Sequence, residues 1–202
     1  RRELLDAAEA VFGDKGIHAA TVKEIAELAG YAVGSVYSFF DGKDALVHAV
    51  FARRGEEVLD GIRRHTAATG PALERVVSLA RFEVTFFREH PAFARMYLGS
   101  AAVGDLLPLV ERDERLLANF DDAMGRTAAL IAEGQAAGDV CPGPPALLAR
   151  LLSGLVTAYQ AGNGTVPAER LDDVQFDALV RRTFGAGAPN DTRPTDRAKG
   201  PA

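Results

Sequence analysis

The sequence predicts an all-α fold of about nine helices, with a small amino-terminal three-helix unit followed by a larger helical body. Apolar residues recur at helical spacing from the first residues onward, and the strict alternation of a half-buried strand is scarce. Turn-forming residues punctuate these segments at Gly16, Gly30, Asp41-Gly42, Gly70-Pro71 and His90-Pro91. A composition 48% hydrophobic and 25% charged suits a soluble globular chain with a sizeable core. No apolar run approaches the roughly 18 residues of a membrane span.

Taken in order, Leu4, Leu5, Ala8, Val11 and Phe12 share one face of a first helix, with Glu3, Asp6 and Glu9 outside it. Gly16 supplies its stop. Thr21 opens a second helix and Glu24 completes a capping box, each side chain satisfying the other's free backbone N–H. Ile25, Ala26, Leu28 and Ala29 form its inner side, and Gly30 ends it. A third helix fits Val33 to Phe39, with Val36, Phe39 and Phe40 as core, and a fourth fits Asp44 to about Arg64. The helix opened by Pro71 is apolar on two faces up to Glu89, which places it at the centre of a bundle. A short helix then carries Phe93, Met96, Tyr97 and Leu98. Another, after Pro108, carries Leu116, Phe120, Met124 and Ile131. The last two helices follow the proline-rich loop from Asp139 to Pro145 and are rich in leucine. Residues 185–202 lack any large apolar side chain and are expected to form a disordered tail.

The formal net charge is −5, so no global basic field argues for nucleic acid. Residues 1–65 hold nine Lys or Arg against eleven Asp or Glu, and any contact with a polyanion must come from a local patch. The single cysteine, Cys141, excludes an internal disulfide, argues against a Cys-based zinc site and suits a reducing cytoplasm. His18, His48, His65 and His90 are scattered, with neither metal-ligand spacing nor a nucleophile triad around them. Asp172-Asp173 falls at a helix start, where acidic residues favour the helix dipole. No catalytic residue, metal site or cofactor is expected. With no signal-peptide core or cleavage pattern, the chain reads as the ordered part of a longer cytoplasmic one.

Three short helices with tight glycine turns suggest a helix-turn-helix, which puts the start of its second helix into the major groove. The order of residues adds to this: Leu4-Leu5, Phe12 with Gly16, Thr21-Val22-x-x-Ile25-Ala26, Ala29-Gly30, Gly34-Ser35-x-Tyr37-x-x-Phe40 and Lys43-x-x-Leu46. Together they resemble the amino-terminal DNA-binding domain of the tetracycline-repressor (TetR) family of bacterial transcriptional regulators. The resemblance implies a DNA-binding domain over residues 1–45 and a ligand-binding and dimerising domain over 46–184, similar in architecture only. It places Thr21, Tyr37 and Lys43 at phosphate-contacting positions, with Lys23 as a further phosphate contact. Ser35 and Ser38 would face base edges or the adjacent backbone, Gly34 would permit close approach, and Val33 stands where Lys, Arg or Pro is frequent. Ala32 replaces a serine that commonly caps the recognition helix, a loss of about 0.5–2 kcal/mol.

The same resemblance makes Phe82, Phe86, Phe93, Met96, Tyr97, Phe120 and Met124 candidates for a mostly apolar effector pocket, with plain bundle core as the alternative for each. Arg81, Glu83 and Gln160 would orient the effector's polar end. Leu148, Leu152, Leu155, Tyr159, Phe176, Leu179 and Val180 become candidates for a four-helix homodimer interface. The implied function is a ligand-responsive repressor that binds a palindromic double-stranded operator as a dimer, and the small effector is its other partner. The acidic first unit and uncapped helix leave open a protein-interaction module with a degenerate helix-turn-helix. A small helical enzyme is a remoter alternative, because no polar constellation is visible.

Overall fold

The computed structural model describes residues 1–102, 104, 106–165 and 171–187. Among them are ten helices: α1 (Arg2–Lys15), α2 (Val22–Ala29), α3 (Val33–Tyr37), α4 (Lys43–Thr66), α5 (Ala72–Glu89), α6 (Pro91–Ala102), α7 (Leu106–Glu111), α8 (Glu114–Ala137), α9 (Pro145–Thr165) and α10 (Asp173–Phe184). The extra helix arises around Pro108. It lies in the first turn of α7, where its missing N–H is tolerated, and Asp113 then caps a separate α8 by accepting from the amides of Arg115 and Leu116.

The expected capping box is present: Thr21 Oγ1 accepts from the Glu24 amide at 3.3 Å, and Glu24 Oε2 accepts from the Thr21 amide at 2.9 Å. Gly30 closes α2 in the left-handed conformation, φ 72°. Ala32 stands at the N-cap of α3 with no side-chain hydrogen bond, and α3 ends at Tyr37 rather than Phe39. Phe39 is therefore not core. The chain turns after Val36, whose carbonyl accepts from the amides of both Phe39 and Phe40; Phe40 rotates inward and Phe39 stays exposed. Leu28 is exposed too, because the buried side of α2 centres between Ile25 and Ala26 and Leu28 falls roughly 110° away.

Two hydrophobic clusters form the interior. One joins α1–α3 to the first half of α4 and continues into Phe86, Phe93 and Leu116; the other fills the space between the remainder of α4, α5, α8, α9 and α10. Position 45 falls in the first turns of α4, so a single helix crosses between the two parts. Glu9 corrects its sequence assignment: it is buried on α1, where Arg53 Nη2 donates to it at 2.7 Å and Arg54 Nε at 2.9 Å. These charge-assisted bonds clamp α1 to α4. On its other side α1 meets α6 through Gly13, where an added Cβ would lie 2.4 Å from the Ala92 carbonyl oxygen. Arg95 Nε donates to the Gly13 carbonyl beside it at 2.7 Å.

At the carboxyl end the expectation of disorder from Gly185 is corrected. The Cys141 amide donates to the Phe184 carbonyl and the Ala186 amide to the Asp139 carbonyl, stitching Gly185 to Val140 in an isolated bridge. The remaining positions of that expectation, 188–202, lie outside the described residues.

Candidate DNA-reading surface and effector cavity

The surface of α3 is built by subtraction. Val36 is fully buried and anchors the helix, which leaves Val33, Gly34, Tyr37 and Ser38 exposed and Ser35 half-buried on its outer side. Ser38 Oγ donates to the Ser35 carbonyl at 2.7 Å, so its lone pairs remain for a donor from outside. Tyr37 is 55% exposed, with its hydroxyl free to donate. Thr21 differs: its hydroxyl donates to Glu24 Oε2 at 2.8 Å while accepting from the Glu24 amide, so its first task is capping. Lys43, at the start of α4, spends one donor on the His18 carbonyl at 3.0 Å and has two more. Lys23 is largely exposed, 3.7 Å from Glu27. Arg1 lies over the Phe40 ring, 5.1 Å from its centroid, which brings a cation to the same end of the molecule.

Other cations of this region serve the fold. Lys15 pairs with Glu24, Arg53 and Arg54 with Glu9, and Arg63 with Asp122. The hydrogen bond from Lys15, with those from Thr21, holds the Glu24 carboxyl down at about 2.

A second site lies deep in the body. Helices α4, α5, α6, α8 and α9 surround a cavity of about 390 Å³. Five of the seven expected pocket residues line it: Phe86, Phe93, Tyr97, Phe120 and Met124. Phe82 does not, because its ring lies over Gly61 and stacks on His65 of α4, with centroids 4.9 Å apart. Met96 is buried in the core instead, behind a separate cleft between the end of α1, α4 and α6. Of the polar candidates only Glu83 is in the wall. Arg81 turns to Asp177, and Gln160 Nε2 donates to the Val84 carbonyl at 2.9 Å. Burial alone pushes the Glu83 carboxyl up to about 7. The Tyr97 hydroxyl is raised chiefly by burial, opposed by Thr157 and assisted by Glu83. Sequence reading missed Asn119 and Thr157 in the wall; their signal was a polar residue within an otherwise apolar helical stretch.

The candidate interface residues divide. Leu152, Phe176 and Val180 are fully buried within the chain and present no surface to a partner. Tyr159 is spent internally, donating to the Leu171 carbonyl, accepting from Arg88 and packing 4.3 Å from the Phe176 ring centroid. Leu148, Leu155 and Leu179 are half-buried. The outward row on α9 is Leu147, Leu151, Gly154 and Ala158, and α10 adds Val174 and Ala178.

Residues 4–50 match the profile of bacterial regulatory proteins of the tetR family. Residues 4–50 thus form a TetR-type amino-terminal domain. Its most similar relatives include the HTH-type transcriptional repressor KstR2 of Rhodococcus jostii, 40% identical over 70 residues, 35% of this chain and 34% of that protein. They also include the HTH-type transcriptional activator FasR of Mycolicibacterium smegmatis, 37% identical over 76 residues, 38% of this chain and 35% of that protein. The matched stretches thus span about a third of those relatives' length. Among solved structures, AibR in complex with isovaleryl coenzyme A and operator DNA has a similar fold, with a TM-score of 0.72. Its identity is 17%, over 91% of this chain and 97% of that one. The sequence match is thus confined to the amino-terminal part, and over the helical body the likeness is one of fold.

Proposed function

We propose that the protein is a ligand-responsive transcriptional regulator, acting as a repressor that binds palindromic operator DNA as a homodimer in the bacterial cytoplasm. The observation that carries this reading is the outward row of Tyr37, Ser38 and Lys43 on and after an α3 anchored by Val36, within the stretch matched to the family. Tyr37 and Lys43 supply phosphate contacts, with Thr21 and Lys23 at the flank; Ser35 and Ser38, beside Val33 and Gly34, supply short hydrogen-bonding groups at the bases. The effector occupies the cavity of the body. It acts by favouring the arrangement that fits DNA poorly, and the routes between the sites are α4, common to both, and the Gly13–Ala92 contact.

The dimer reading moves to the outward row of α9 and α10. Leu151→Glu should yield a folded monomer by sedimentation with operator affinity lost. Leu152→Ala should destabilise the protomer by about 2–5 kcal/mol through a core void. A dimeric Leu151→Glu protein would place the interface elsewhere.

Fluorescence titration with the protein's own upstream promoter DNA tests the function. Tyr37→Phe and Lys43→Ala should weaken binding to every sequence several-fold, consistent with hydrogen bonds of about 0.5–1.5 kcal/mol; Ser35→Ala should change sequence preference. Unchanged affinity in all three variants removes this docking. The uncapped α3 and the acid excess favour a second reading, a protein-interaction module with a degenerate helix-turn-helix. Absence of salt-sensitive, sequence-dependent binding would select it.

A further inference from the structure

We infer that the cavity is built for a lipophilic cation, an amine or quaternary ammonium on an apolar body, seated with its charge against Glu83. This deepens the effector reading above and rests on it.

Two features of the wall point the same way. First, Glu83 is its one carboxyl among the described residues, and no Lys, Arg or His stands in the wall with it. Among the described residues it has no hydrogen-bond or ion-pair partner, and burial pushes its carboxyl up. A carboxylate taken out of water without a partner destabilises a protein, and a bound cation supplies the missing charge. Second, the surface around it is aromatic. Phe87 stacks on Phe93 with centroids 6.1 Å apart, Phe93 meets Phe86 edge to face at 6.3 Å, and Tyr97 lies 5.2 Å from Phe87. Ring faces carry partial negative charge and attract an ammonium group. Separately, Asn119 Nδ2 is buried in the same wall without an acceptor, which calls for an acceptor atom on the ligand's body and not for its charge. Two polar side chains of one cavity are thus incomplete in the protein alone.

Once Glu83 is ionised, the same charge balance disfavours an anionic head group. A ligand carboxylate or phosphate would bring a like charge to Glu83 in a low-dielectric space, with no basic side chain in the described wall to offset it. AibR was solved with isovaleryl coenzyme A, a polyanion; the wall here lacks the counter-charges such a ligand demands.

The test is calorimetric titration of the protein at pH 8 with three probes of similar length: octyltrimethylammonium, 1-nonanol and nonanoate. The cation should bind roughly tenfold or more tightly than the alcohol, with nonanoate weakest. Glu83→Gln should bring cation and alcohol to within about twofold of each other, while Glu83→Asp, which keeps the charge, retains the preference. An alcohol that binds as well as the cation, or a preference that survives Glu83→Gln, overturns the cation assignment and leaves the effector cavity standing. If none of the three binds at millimolar concentration, the cavity is not the effector site and both readings fall.

Discussion

Of the three polar residues that the sequence offers to the effector's polar end, Glu83 alone stands in the cavity wall, and its surroundings set its chemistry. It interrupts an apolar face of α5 and lines an aromatic cavity. Burial raises its proton affinity, from an ordinary 4.5 to about 7. The folded protein therefore binds this proton more tightly than the unfolded chain does. Its contribution to stability is full below about pH 4.5 and declines as pH rises through about 7. The loss amounts to roughly 3 kcal/mol at most, discounted for the surface Glu83 keeps toward the cavity. Urea midpoints of the wild type and Glu83→Gln should diverge between pH 4.5 and 7 and run parallel above it, with the variant more stable. Profiles parallel throughout would mean the carboxyl is hydrated. Glu9 makes the complementary point: its burial is set by two arginines 44 and 45 residues away, which local periodicity on α1 cannot reveal.

At the scale of elements, boundaries written in local chemistry are legible. The Thr21–Glu24 box, the left-handed Gly30 and the missing cap at Ala32 all involve residues within a few positions of one another, and their geometry follows from residue type. The end of α3 and the split at Pro108 were harder to read, because each depends on a competition between a helix and the turn beside it. Contacts between elements were invisible. Gly13 reads as a mild helix weakener, but its bare Cα lets α1 approach the Ala92 backbone of α6. Gly13→Ala should cost about 1–3 kcal/mol by overpacking and should weaken the coupling between effector and operator binding. Chemical denaturation reads the first effect, and operator titration with and without an effector reads the second. An unchanged denaturation midpoint would show that the α1–α6 contact yields without strain.

For the whole molecule, electrostatics and assembly decide behaviour. Of the cations in residues 1–65, Lys15, Arg53, Arg54 and Arg63 are held by carboxylates within the fold. Arg1, Arg2, Lys23 and Lys43 remain as the main candidates for phosphate. With about 0.9 in the logarithmic salt slope for each phosphate neutralised, this chain as a dimer should show a slope no steeper than about −7. Affinity measured from low to moderate salt checks this, and a steeper dependence would require cations beyond these four. The leucine-rich last helices also divide at this scale. Their buried half closes the protomer, and the outward row on the opposite side is the exposed apolar part among the described residues.

The sequence by itself determined the all-α class, the places where most helices start and stop, and the identity of the reading domain. These rest on periodicity, caps and a spacing of residues confined to some forty consecutive positions. Tertiary structure alone decided which apolar faces were core, cavity or exterior. It turned Phe82 onto Gly61 and away from the cavity, put Leu152 inside and Leu151 outside, and left Glu83 without a counter-charge. The physical reason is range. A cap or a turn is settled by neighbours along the chain, whereas burial, and with it charge and reactivity, is settled by whichever distant helix arrives opposite.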